Sequence, residues 1–182
     1  MMFSAMRRMS TGRLTGSVVA AVAITVSLFM VESPAEARWK QPGCTKFSKQ
    51  IRTANTPAAK RAARKRLAKC KVNRRVYGIL KNKMIAGTRA DGVYVDSVYC
   101  ANGSFSYDGG ESFVKKGWRV ENARIRGRNI TAIVRGKIKG GSYVTAVARR
   151  GSQWKVGWES FGQARDLGDA ELTNARALCR KA

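Results

Sequence analysis

The segment AAKRAARKRLAKCKVNRR, Ala58 to Arg75, sets Lys60, Arg61, Arg64, Lys65, Arg66, Lys69, Lys71, Arg74 and Arg75 within 18 residues and includes no acid. The chemistry open to such a run is charge neutralisation of an extended anion, because lysine and arginine head groups contact successive phosphates, sulfates or carboxylates. A comfortable surface helix interleaves glutamate with lysine four residues apart. Here Lys60 falls near Arg64, Arg61 near Arg64 and Lys65, and Lys65 and Arg66 near Lys69. Each like-charge pair costs about 0.2–0.5 kcal/mol, or roughly 1–2.5 kcal/mol for the five. A polyanion would reverse that sign. A merely solvated face is the competing reading. The narrow apolar stripe is mostly alanine, which argues against membrane disruption by this helix. No zinc finger, basic zipper or RNA-recognition motif accompanies it, so sequence-specific nucleic-acid binding is not expected.

Other reactive groups are sparse. There is no histidine, which removes the commonest general base and excludes Ser-His-Asp and Cys-His schemes. Asp108 and Glu111 flank two glycines, and Asp91 and Asp96 sit near a strand. An Asp-Gly pair is first of all a hairpin signal, which accounts for Asp108. Phosphate-binding loops, nucleophile elbows and calcium loops are missing. The chain is expected not to be an enzyme and to use no cofactor.

The four cysteines are Cys44, Cys70, Cys100 and Cys179. No two share the short spacing of a metal site, so two disulfides are expected and no metal. A helix after Cys44, capped by Thr45, is nine residues or roughly 13 Å long. A second, capped by Thr56 with Pro57 in its first turn and ending at Cys70, is fourteen residues or roughly 21 Å. Folded as an antiparallel hairpin with two extended residues in front, they bring Cys44 level with Cys70. Cys100 is then left for Cys179. In the chain-entropy model these loops contribute about 3.5 and 4.5 kcal/mol.

The elements that position these groups follow an amino-terminal leader. Arg7, Arg8 and Arg13 precede an uncharged run from Thr15 to Val31, and an A-x-A site closes at Ala37. That order reads as a Sec-type signal peptide over 1–37, cleaved after Ala37, and places the protein outside the cytoplasm at the cell envelope. No transmembrane segment is expected once it is removed. Without the leader the chain has 33 basic and 9 acidic residues, a net of +24. Seventeen of those basic residues precede the first acid, Asp91, so the charge separates a basic helical arm at 38–90 from a domain at 91–182.

The segment from Val72 to Ala86 reads as a further helix, with Asn73 as its cap and Val76, Leu80 and Met84 at helical spacing. Beyond it, strands of alternating residues are broken by turns at Ala101–Gly103, Gly127–Arg128, Gly140–Gly141 and Arg150–Ser152. Ile130, Ala132, Val134 and Ile138 are expected to share a buried face with Val144, Ala146 and Ala148, and with Trp154, Val156 and Trp158. Arg135, Lys137, Lys139, Arg149 and Lys155 would form the opposite, wet face. A last helix, capped by Asp169 and presenting Leu172, Ala175 and Cys179, should cover the sheet. The fold class is therefore α+β: a basic helical hairpin, an antiparallel meander and a carboxy-terminal helix packed on it.

Two functions fit this plan. One is an exported, disulfide-stabilised module that binds an anionic polymer or surface (wall polymer, glycan, lipid headgroups or nucleic acid) through its helical arm. The other is an envelope-held domain that recognises a protein through its sheet.

Overall fold

The computed structural model describes residues 41–115, 117–138 and 140–182. The leader expected at 1–37, with its cleavage site, lies outside the described residues. The described residues form one compact unit.

The helices come first, α1 over Thr45–Thr53 and α2 over Pro57–Leu80. Thr45 is the first residue of α1 rather than its cap, which falls at Cys44 with no side-chain bond. Thr56 does cap α2, its hydroxyl accepting from the Ala59 N–H at 3.1 Å, with Pro57 in the first turn where a missing N–H costs nothing. A disulfide joins Cys44 to Cys70. At 24 residues α2 spans about 36 Å and does not stop at Cys70. Here the sequence expectation fails. Asn73 does not start a new helix; its side chain leaves α2 sideways and accepts from the Ala123 N–H at 3.0 Å.

Eight antiparallel strands follow: β1 Lys83–Thr88, β2 Tyr94–Tyr99, β3 Phe105–Ser106, β4 Trp118–Arg126, β5 Asn129–Ile138, β6 Gly141–Arg150, β7 Gln153–Ser160 and β8 Gln163–Asn174. They form one sheet in the order β3-β2-β1-β8-β7-β6-β5-β4. The sheet curls until its two edges meet. The Gly117 N–H, just before β4, donates to the Gly103 carbonyl near β3 at 2.7 Å. Phe105 of β3 lies against Gly136 of β5 so closely that a β-carbon there would fall 2.1 Å from its ring. Only glycine admits that approach.

Three expectations are corrected by this sheet. The helix expected over 72–86 is divided between the end of α2 and strand β1. The covering carboxy-terminal helix is largely strand: β8 runs to Asn174, with Leu172 opposite Ile85 and Ala170 opposite Gly87. Only the single turn α3, Arg176–Cys179, is helical. Leu172, Ala175 and Cys179 have helical spacing, but Ala170 and Leu172 also have the two-residue period that a free β1 edge selects. The partners on β6 are also displaced by one residue. Ile138 pairs directly with Gly141, so Ala132 opposes Val147 and Val134 opposes Thr145. Thr145 and Val147, not Val144, Ala146 and Ala148, therefore share the face of Ile130, Ala132 and Val134.

That face is covered by α2. Val76 and Leu80, both fully buried, join Ile85, Val95, Tyr99, Trp118, Val134 and Val156 in one apolar core. Tyr77 stacks on Trp118 with ring centroids 4.0 Å apart, and the Trp118 Nε1–H donates to the Cys100 carbonyl at 3.0 Å. The opposite face is not simply wet, because Ile133, Ala146 and Ala148 are buried as well. The second disulfide, Cys100–Cys179, ties α3 to the end of β2, where Val98, Cys100 and Ala175 form a small separate cluster. Two disulfides are what an oxidising, extracytoplasmic compartment sustains.

Candidate functional site

All nine basic residues singled out in the sequence lie on α2, and all nine are exposed. The helix does not keep them together. At 100° per residue Lys60, Arg64, Lys71 and Arg75 fall within about 60° of arc and form a stripe about 22 Å long. Arg74 flanks it on one side, with Arg61 and Lys65 on the other. Arg66 and Lys69 point away from the stripe. Ala63 and Cys70 are buried, and farther along Val76 and Leu80 turn into the sheet core. The outer stripe therefore stays in solvent along its whole length. Among the described residues, none of the nine cations forms an ion pair.

Arg66 and Lys69 instead line a cleft of about 320 Å³ between the helices and β4. Lys46 and Phe47 of α1 and Arg119 and Glu121 of β4 complete its charged and aromatic walls. Two side-chain acceptors hold the helices against β4: Gln41 Oε1 takes the Val120 N–H at 2.7 Å, and Asn73 takes that of Ala123. The Lys46 ammonium lies 5.1 Å from the centroid of the Phe47 ring. Four cations and one carboxylate thus face the cleft. Glu121 is already bonded to Arg119 at 2.5 Å and to Arg135 Nε at 2.8 Å.

The acidic residues considered for catalysis come together only in part. An isolated backbone bridge sets Asp96 of β2 beside Asp108, in the loop after β3. Burial, then the charges of Asp108 and Glu111, push the Asp96 carboxyl up. Burial opposes ionisation of Asp108 too, but hydrogen bonds from the Ser106 and Ser112 hydroxyls outweigh it and hold its carboxyl down to about 2. Asp108 is thus a loop-organising acceptor. Asp91 pairs with Arg89, apart from the other three. Among the described residues no group of three or more His, Cys, Asp or Glu side chains could hold a metal, and no helix is long and apolar enough to cross a membrane.

No family model, curated protein or solved structure matches this chain.

One feature escaped the sequence reading. The β7–β8 turn is Phe161-Gly162, between the paired residues Ser160 and Gln163. Both turn residues have positive φ, 49° and 75°, which is the two-residue turn that matches sheet twist and favours Asn-Gly or Gly-Gly. Phe161 takes the first position and is 99% exposed. Trp158, expected in the core, is 40% exposed and donates its Nε1–H to Asp166. The signal was a Phe-Gly pair between two alternating runs.

Proposed function

We propose that the protein is an exported, non-enzymatic module that binds an anionic polymer or surface through α2 and the helical hairpin it forms with α1. One observation carries this reading: nine exposed cations on one helix, without an ion pair among the described residues, while the ion pairs that do form lie in the sheet region. Solubility alone does not call for like charges stacked four residues apart on a single stripe. An anion laid along the stripe would relieve that repulsion over about 22 Å of helix.

Duplex DNA serves as a convenient polyanion of known charge spacing. Each phosphate neutralised adds about −0.9 to the slope of log affinity against log salt, so four or five contacts predict a slope of about −4 to −5. Binding should be similar for unrelated sequences, since phosphate contacts carry no base information. The triple variant Arg64→Glu, Lys71→Glu, Arg75→Glu should flatten the slope by about three units while the protein keeps its fold. If that variant folds normally and keeps the parent's affinity and slope, α2 is a solvated face and the reading fails.

A further inference from the structure

We propose that the anionic surface is a lipid bilayer, engaged by Phe161 as an inserted prong and by the cleft cations beside it. This rests on the polyanion reading above and names its target for the cleft side of α2, where Arg66 and Lys69 point, rather than for the outer stripe.

Phe161 is the side chain least accounted for in the fold. It is a large apolar group, almost fully exposed, in a backbone region that disfavours bulky residues, at a turn position that asparagine or glycine fills more easily. A strained, solvated phenylalanine contributes nothing to the core. Its cost points to a task outside the fold. The hairpins β4–β5 and β6–β7, which turn at the opposite end of the sheet, put Gly127-Arg128 and Gly151-Ser152 at their tips, with glycine in the positive-φ position and a polar residue beside it.

The tip is also held in place. The Glu159 carboxylate accepts the Gly162 N–H and, at 3.2 Å, Arg135 Nη2. Arg135 reaches on to Glu121, and Glu121 to Arg119 in the cleft wall. A β-carbon at Gly162 would lie 3.1 Å from Asn122 Nδ2, the residue after Glu121. The aromatic tip and the cationic cleft therefore meet at one edge, β4, and a single ion-pair network joins them. The carboxylates nearest the tip are engaged: Glu159 by Arg135, Asp166 by Trp158.

An exposed aromatic tip joined by one ion-pair network to a cleft lined by Lys46, Arg66 and Lys69 matches an anionic bilayer. Phenylalanine enters the acyl boundary, tryptophan stays at the interface with its N–H on a polar partner, and the cations meet headgroup phosphates. A soluble polyanion offers charge but no apolar medium for the prong. That difference supplies the test.

Binding is measured to vesicles of phosphatidylglycerol and phosphatidylcholine in equal parts, to phosphatidylcholine vesicles alone, and to heparin as the soluble polyanion. The parent is expected to bind the anionic vesicles and heparin, and the neutral vesicles far less. Phe161→Asn should bind anionic vesicles about tenfold more weakly, keep the parent's affinity for heparin, and melt no lower, because asparagine suits the turn. Phe161→Trp should retain vesicle binding, and its emission should shift to the blue on anionic vesicles. Unchanged vesicle binding by Phe161→Asn, or no spectral shift for Phe161→Trp, overturns the bilayer proposal while heparin binding keeps the polyanion reading intact. A parent that binds heparin but no vesicles does the same. A parent that binds neither heparin nor anionic vesicles overturns both.

Discussion

Helix α2 and the sheet carry charge in opposite ways. On the sheet Glu121 takes Arg119 and Arg135, Glu159 takes Arg135 again, and Lys155 takes Asp169. Apart from Arg119 and Glu121, which share β4, these groups sit one or two strands apart and hold the ladder in register. On α2 the cations outnumber any local partner and repel one another. The same two residue types are structural in one region and available for outside contact in the other. Sequence position does not decide which, since Arg135 is engaged and Arg75 is not. What decides it is whether an acid stands on the neighbouring strand.

The largest predicted effect concerns the one place where the two regions fuse. Leu80 is fully buried where α2 enters the core, so Leu80→Ala should cost about 3 kcal/mol through lost burial and the cavity left behind. In thermal melts of a chain this size that is a fall of roughly 6–12 °C. A loss below about 1 kcal/mol would mean that α2 does not enter the sheet core at Leu80.

Next comes acid. The folded Asp108 carboxyl is held down to about 2, below the value of about 3.9 in an unfolded chain. A depressed carboxyl stabilises the fold above its unfolded value, and that contribution disappears as pH falls from about 4 to about 2. Asp108→Asn should therefore lower the melting temperature near neutrality and flatten the pH dependence in that window. A parent-like acid limb would show that the Ser106 and Ser112 bonds do not form in solution.

The smallest effect has the opposite sign. Arg64→Glu turns two repulsive neighbours, Lys60 and Arg61, into attractive ones and should stabilise the protein by about 0.5–1 kcal/mol at low salt. The gain should shrink as salt rises. An equivalent reversal on the sheet, Arg135→Glu, should instead destabilise, since it would set three carboxylates together. If both reversals shift the melting temperature in the same direction, the contrast between the regions collapses.

Much of this was legible because it depends on local rules. The cap at Thr56 and Pro57, the alanine-rich basic stripe, and the turns after Arg126 and Arg150 all follow from residue type and spacing. The disulfide pairing follows from helix length. What stayed hidden depends on long-range partners. Asn73 has the chemistry of a cap, and only the approach of β4 gives its side chain a different acceptor role. Ala170 to Asn174 carries both a helical and a strand period, and the free edge of β1 chooses between them. Trp158 alternates like a core residue, but the ladder between Val156 and Trp158 is irregular, and its ring is left partly in solvent. The nine cations were readable as a group, whereas their division into a stripe and a cleft needed the extra turns of α2 and the position of β4.

The strand order also constrains how this chain reaches its folded state. The last strand made, β8, lies in the middle of the sheet, between β1 and β7. Lys83 pairs with Asn174, so closing the sheet means joining residues some ninety positions apart. Until β8 arrives, β1 and β7 each present an open edge with unsatisfied backbone groups, the kind of template on which chains mispair with one another. Such non-local ladders form slowly, on the scale of milliseconds to seconds. During that interval a large excess of positive charge keeps neighbouring copies apart. The basic composition thus serves the chain before it folds, as a barrier to self-association while the central strand is still missing.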